Sequence, residues 1–406
     1  MPDLNFENAN ALYIHLPFCA NKCPYCDFYS VKYTKKRVDL YWFALFMELE
    51  ELSQSVHNNL LQTVYLGGGT PSLIDPFYIK ELLKIIKDKF RVVPAAEITV
   101  EVNPASIDAE KITALKRAGV NRLSVGIQSF NNQHLKFLGR KSSAENNKKI
   151  LALVEKYFNN YSADLIFALP GQSKNEFRAD LETLLAFNPP HISLYNLEIH
   201  ENTPFYERHQ SGELKLPTEE LDAEMYELAL EKLTAADYRH YEISNFAQAG
   251  YRARHNYLYW LFQPYLALGP GAAAFDGSCR SQNIADLNQY LKYYNPEKLS
   301  FKKFLMGKQN NLKEINGDSK IKIRDLNCLS QKEKMAEYSF LALRTEKGLF
   351  FNKFYRQFKV EFKSVYKKEI AELKTNGLIR QGNERIYLTA RGKEVANEVF
   401  LKFLLE

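Results

Sequence analysis

The 406-residue chain has no apolar run near the ~18–20 residues that would cross a bilayer. Its first ten residues, MPDLNFENAN, carry neither a basic start nor an apolar stretch. No signal peptide is expected, and the cytoplasm is the default compartment. Cysteine is scarce. There are five, an odd count without a secretion signal, which argues against a disulfide framework. Cys279 and Cys328 stand alone, whereas Cys19, Cys23 and Cys26 fall within eight positions. Clustered thiols in a reducing compartment point to metal or redox work. The chain also lacks internal repeats and long low-complexity segments.

What is present fits one large domain and a smaller one, because 46% hydrophobic and 25% charged residues can bury a sizeable core. The net charge of +6 is unevenly placed: residues 291–406 hold 25 Lys and Arg against 14 Asp and Glu, and the remainder is acidic. Such a basic module suits nucleic acid, an anionic membrane surface or an acidic partner. A solvated lysine-rich surface is the simpler reading.

The first half alternates strand-like and helical patterns. Strands are expected at 11–16, 63–68, 97–102, 121–127, 163–169 and 191–197, and amphipathic helices at 37–55, 77–89, 106–118, 143–158 and 174–187. Repeated βα units imply a parallel sheet covered by helices, with chemistry at the C-terminal strand ends. Six units favour a barrel-like sheet over a doubly wound one. Residues 217–238 read as one helix, 241–276 as a motif-dense stretch rich in aromatics and glycine, and 291–330 as a polar linker or insertion. Residues 331–406 hold three helical patterns and the hairpin-like GLIRQGNERIYLT, a winged-helix-like arrangement.

The segment YIHLPFCANKCPYCDF spaces its cysteines as C-x3-C-x2-C. Thiolates suit iron–sulfur clusters or zinc. Three ligands on a four-iron cube leave one iron open to the amino and carboxylate groups of a methionine. A structural zinc wants a fourth ligand. Asp27 is poorly placed for that and His15 lies on the preceding strand. Buried structural thiols or a zinc knuckle remain the alternatives. Further along, Gly67-Gly68-Gly69-Thr70-Pro71 follows the second strand, Glu101 and Gln128 stand near the ends of the third and fourth, Arg140 follows in Leu138-Gly139-Arg140, and Asp164 lies in the fifth. Singly, each reads more readily as a turn or a structural polar group. Jointly they put carboxylates, an amide and a guanidinium at one rim, where ribose hydroxyls and a methionine carboxylate can be bound.

These motifs, in this order, resemble the radical S-adenosylmethionine (SAM) superfamily. The stretches GGGTPS, EVNPAS, GVNRLSVGIQSF, DLIFALPGQ, HISLYNLEIHENTPFY, YEISNFA and RHNYLYW resemble, within it, the oxygen-independent coproporphyrinogen III oxidase family, and most of all its haem-chaperone branch. The resemblance implies an α/β fold: a partial (β/α)6 TIM-like radical SAM barrel with a C-terminal α-helical, winged-helix-like domain. Its parts would be a core at 1–215, a barrel-associated extension at 216–290, a linker at 291–330 and the C-terminal domain at 331–406. It implies a [4Fe–4S] cluster on Cys19, Cys23 and Cys26, and SAM held by Tyr13, Gly68, Gly69, Thr70, Glu101, Gln128, Arg140 and Asp164.

Arg254-His255-Asn256-Tyr257-Leu258-Tyr259-Trp260 resembles the branch's HNxxYW motif, associated with haem binding. An imidazole is a good axial ligand for haem iron, and aromatic rings can pack on a macrocycle. An ordinary aromatic cluster with a core histidine is the alternative. The implied partners are haem, recipient haemoproteins such as respiratory-chain proteins at the membrane, and a reductant protein; nucleic acid is disfavoured. The expected compartment is the cytoplasm, with a peripheral inner-membrane association.

Four departures from the family pattern bear on function. The oxidases resemble C-x3-C-x2-C-x-C, whereas Phe28 stands in the last position here, and only 18 residues precede Cys19. Both argue against the alternative activity, radical decarboxylation of coproporphyrinogen III. Lys141-Ser142-Ser143 and Ala273 stand where relatives often carry histidines. If those histidines help bind porphyrin, this chain binds it differently or more weakly.

Overall fold

A computed structural model describes residues 4–56, 59–294 and 324–404. Of the linker expected at 291–330, residues 295–323 lie outside the described residues. The chain forms two compact units, one of Met1–Leu165, Leu197–Lys215 and Pro264–Asn327, the other of Ile166–Asn196, Leu216–Gln263 and Cys328–Glu406.

All six expected strands are present: β1 (Ala11–Leu16), β2 (Leu60–Gly68), β3 (Arg91–Val102), β4 (Arg122–Gln128), β5 (Tyr161–Phe167) and β6 (His191–Asn196). In the first unit, β1 to β5 pair in sequence order and all in parallel. The crossovers are helices Lys35–Val56, Pro76–Lys89, Ala109–Ala118 and Ala144–Tyr157. Local sequence sets their ends. Asp75 caps the second through the Phe77 N–H with Pro76 in the first turn, Asp108 caps the third through Lys111, and Ser143 caps the fourth through Asn146.

Parallel strands buried on both faces are usually apolar throughout. Here they alternate. Leu12, Ile14, Leu16, Val64, Leu66, Ile98, Val100, Leu123, Val125, Ala163 and Leu165 form a buried apolar set. The intervening positions are Tyr13, His15, Tyr65, Gly67, Thr99, Glu101, Ser124, Gly126, Ser162 and Asp164. Strand side chains alternate between faces, so one face of the sheet is polar. Register aligns that face: Tyr13 stands beside Tyr65, Glu101 beside Ser124, Ser124 beside Ser162 and Gly126 beside Asp164.

A seventh strand, β7 (Leu266–Leu268), was not expected from the sequence; it pairs in parallel with the free edge of β1. Glu48 holds the segment that follows it. This carboxylate is fully buried on helix Lys35–Val56 and accepts from the Gly269 N–H (2.7 Å), Asn283 Nδ2 (2.6 Å), Tyr290 Oη (2.7 Å) and Arg324 Nη2 (2.9 Å). Buried charge persists only when paired and hydrogen-bonded in this way. Cys279 and Cys328 correct the sequence reading of two solitary thiols: both are disulfide-bonded. Spacing carries no signal for such a bond, which depends on backbone placement.

In the second unit, β6 pairs antiparallel with strand Asn245–Ala247, which pairs with Arg239–Glu242. Its C-terminal part has helix Gln331–Leu343, further helices between Phe351 and Leu401, and a three-stranded antiparallel sheet of Leu349–Phe350, Arg385–Leu388 and Ile379–Gln381. The expected hairpin is the pair Ile379–Gln381 and Arg385–Leu388. Phe354, Phe358, Phe362, Tyr366, Ile386 and Phe403 fill a core of its own.

Candidate functional site

The cysteine loop leaves β1 and is fastened at both ends. Phe18–Cys19 pairs with Val31–Lys32, and the Thr70 N–H donates to Phe18 O at 2.8 Å. Midway, the Phe205 N–H donates to Pro24 O at 3.0 Å, and Pro24 rests on Gly139, where a Cβ would come within 2.7 Å of it. Cys19, Cys23 and Cys26 are free, half-buried thiols. Burial pushes the Cys26 thiol up to about 11; a backbone hydrogen bond at Phe28 opposes this, and the nearby Cys23 and Cys19 add to it. Three thiols carried on one loop act together as thiolates only with a cationic partner. Among the described residues, no three His, Cys, Asp or Glu side chains converge as a single metal ion requires. The Thr70 hydroxyl donates to Cys19 Sγ at 3.5 Å, and Tyr25, kept protonated by burial, is hydrogen-bonded to Cys23.

The polar sheet face continues from this loop. Glu101 accepts from Tyr65 Oη at 2.8 Å and from the Gly68 N–H at 3.1 Å. Burial pushes its carboxyl up to about 7, against those two hydrogen bonds, with the Asp164 charge adding to the rise. Asp164 accepts from Ser124 at 2.9 Å and Ser162 at 2.7 Å. Arg140 Nη2 donates to Gly126 O at 2.6 Å. Gln128 sits at φ 68°, a conformation that non-glycine residues adopt at a cost, and such strain clusters at functional sites. Gln128 Oε1 and Arg140 Nε are buried without partners. Two orphaned polar groups beside a carboxylate pair suit a polar ligand carrying hydroxyl and carboxylate groups.

The glycine turn makes room at the head of this face. A Cβ on Gly67 would meet Glu101 Oε1 at 2.8 Å, and one on Gly69 would meet Phe18 O at 2.7 Å. Gly68, at φ +107°, would place a Cβ 2.5 Å from the His15 ring. His15 is itself locked. Its Nε2 donates to Tyr29 O at 2.9 Å, so its Nδ1 accepts from Tyr13 Oη at 3.0 Å. Burial lowers its pKa and keeps it neutral, although the bond to Tyr29 opposes this.

In the second unit, Arg254–Trp260 forms one helix. His255 is 1% exposed, with Nε2 2.7 Å from Tyr259 Oη. The Arg344 guanidinium lies 4.4 Å from the Trp260 ring centroid, and Trp260 Nε1 is buried without a partner. Arg344 also reaches the buried Glu242 at 3.6 Å. The alternative reading of His255, a hydrogen-bonded core residue, describes this state of the helix.

Comparison with known proteins decides the family. The profile of the radical SAM superfamily matches residues 13–184, and that of the HemN C-terminal domain matches 329–395. "Heme chaperone HemW" of Lactococcus lactis is 35% identical over 401 residues, covering 98% of both chains. The chain belongs to the HemW family. The HemW of Bacillus subtilis is 33% identical over 97% of this chain and 99% of its own. Among solved structures, coproporphyrinogen III oxidase (HemN) from Escherichia coli, described as a radical SAM enzyme, superposes with a TM-score of 0.81. It covers 99% of this chain and 91% of its own at 22% identity, which establishes the fold alone.

In this HemW-family chain, Tyr13, the three cysteines, Gly68, Gly69, Thr70, Glu101, Gln128, Arg140 and Asp164 all belong to the first unit, and His255 to the second. Sequence reasoning missed Tyr65, Ser124 and Ser162, which hold the two carboxylates, and passed over the part His15 plays in positioning Tyr13. The polar alternation along each strand marks a polar face, but it does not tell which hydroxyl meets a carboxylate. Phe28 is 59% exposed in the cysteine loop.

Proposed function

We propose that the chain is a haem chaperone that binds haem and hands it to haemoproteins, with a [4Fe–4S] cluster and SAM supporting the cycle. Identity of 33% and 35% over nearly the whole chain to proteins named as haem chaperones carries this reading. Cys19, Cys23 and Cys26 would hold the cluster. When bound, such a cluster supplies an electron, drawn from a reductant protein, and an open iron for SAM. Around it, Tyr13 is fixed by His15, Gly68 and Gly69 let the backbone approach the ligand, and Thr70 steadies Cys19. Glu101, Gln128, Arg140 and Asp164 would bind the ribose and methionine polar groups. His255 would ligate haem iron.

Haem titration of the full chain tests the central claim. His255→Ala should weaken binding by roughly 10–100-fold and alter the Soret band. Equal binding by wild type and variant would remove His255 from the site.

We further propose that delivery takes place at a membrane surface, to respiratory-chain haemoproteins. No helix among the described residues is long and apolar enough to cross a membrane. Support comes from the exposed residues Lys353, Arg356, Lys359, Lys363, Lys367 and Lys368, with an exposed Tyr355 among them. Each such cation contributes about 1 kcal/mol near an anionic surface and is screened by salt. Co-sedimentation with anionic vesicles at low salt, lost at high salt and absent with neutral vesicles, is the expected result. No binding at low salt would refute it.

A further inference from the structure

The motif helix keeps its histidine out of reach. His255 is almost wholly buried, and its Nε2 is 2.7 Å from the Tyr259 hydroxyl. The two rings meet edge to face, with centroids 5.1 Å apart at 83°. Residues four apart on a helix lie one above the other on one face, so the spacing of the motif itself produces this pair. Haem iron takes imidazole through a nitrogen lone pair. In the tautomer that can serve, Nδ1 carries the ring hydrogen and the Nε2 lone pair accepts the Tyr259 O–H. The atom suited to iron is therefore occupied by a neighbour that the same motif supplies.

We propose that Tyr259 is a latch on His255. Its hydroxyl holds Nε2 in the haem-free chain, and haem entry exchanges that hydrogen bond for an iron–Nε2 bond. The proton stays on the Tyr259 oxygen and the ring hydrogen on Nδ1, so nothing is oxidised or reduced. The latch lowers affinity by the worth of one buried hydrogen bond and returns to close the site when haem leaves, as a chaperone that must surrender its cargo requires. Tyr259 thus acts through His255 as a positioning residue. The inference rests on the proposal that His255 is the haem ligand.

The test uses the full chain with hemin as the probe, in equilibrium titration and rapid mixing, on wild type, Tyr259→Phe, His255→Ala and the double variant. Tyr259→Phe keeps the ring packing and removes the hydroxyl. It should bind hemin about fivefold tighter and faster, with the Soret position of wild type, and His255→Ala should remove that gain. Thermal unfolding of Tyr259→Phe separates a purely structural role, which would lower the melting temperature without speeding hemin entry. If Tyr259→Phe binds like wild type, or more weakly, while His255→Ala is impaired, His255 is a ligand without a latch. A weaker Tyr259→Phe with a shifted Soret band would make Tyr259 itself a haem contact and overturn the latch. If His255→Ala binds normally in both backgrounds, the ligand assignment fails first and the latch with it.

Discussion

Cys23→Ser is expected to abolish the iron–sulfur cluster while leaving the fold intact. Iron in the anaerobically reconstituted protein should fall from about four per chain to near zero, and its broad visible absorption should vanish. SAM binding should fall with it, because the open iron goes too. A serine oxygen is a hard ligand and a poor substitute for thiolate. Cys23 lies centrally in the loop, hydrogen-bonded to Tyr25 and close enough to Cys26 to raise its pKa. The three thiols are half-buried and contribute little to the core. Far-UV circular dichroism should therefore match wild type. Full cluster content in the serine variant would show that the C-x3-C-x2-C reading is wrong.

Gly68→Ala is expected to be strongly damaging to the first unit. Two costs add. The backbone stands at φ +107°, outside the range alanine tolerates, and the new Cβ would lie 2.5 Å from the His15 ring. That ring cannot step aside without giving up Tyr13 or Tyr29, its two hydrogen-bond partners. Strain and overpacking together should cost about 3–5 kcal/mol. SAM affinity should fall as well, since the Gly68 N–H is one of the two donors that hold Glu101. Gly171→Ala is the control: at φ +77° it has nothing within 4 Å of its would-be Cβ. It carries only the strain, about 1–2 kcal/mol. Denaturant midpoints for the two variants check this directly. Equal destabilisation would mean that the His15 contact is unimportant.

The strands were legible because their β-branched and apolar runs are long enough for periodicity to register. Their starts were less so. β3 begins at Arg91, ahead of the expected 97, because Leu60 and Leu61 of β2 offer backbone partners to Arg91 and Val92. β7, with three residues between Tyr265 and Gly269, is too short to carry a pattern. It exists because β1 has an open edge and because Glu48, more than two hundred residues earlier, binds the Gly269 N–H. Glu48 looks in the sequence like any solvated helix charge. Only the fold removes it from water, and then it must collect partners. In the site, Glu101 and Asp164 could be singled out from strand ends and motif order. Tyr65, Ser124 and Ser162 could not, since a lone hydroxyl on a strand has many uses until register sets it beside a carboxylate.

By itself, the sequence determined the cysteine spacing, the glycine turn, the presence of the six strands and the placing of His255 and Tyr259 one helical turn apart. Each is a local property, fixed by side-chain chemistry and by the periods of strand and helix. The tertiary structure decided what local rules cannot reach. It set the polar strand positions side by side on one face, crowded His15 against Gly68, and buried His255. The physical reason is common to all three. Each depends on which groups lose water, and only packing between distant segments decides that.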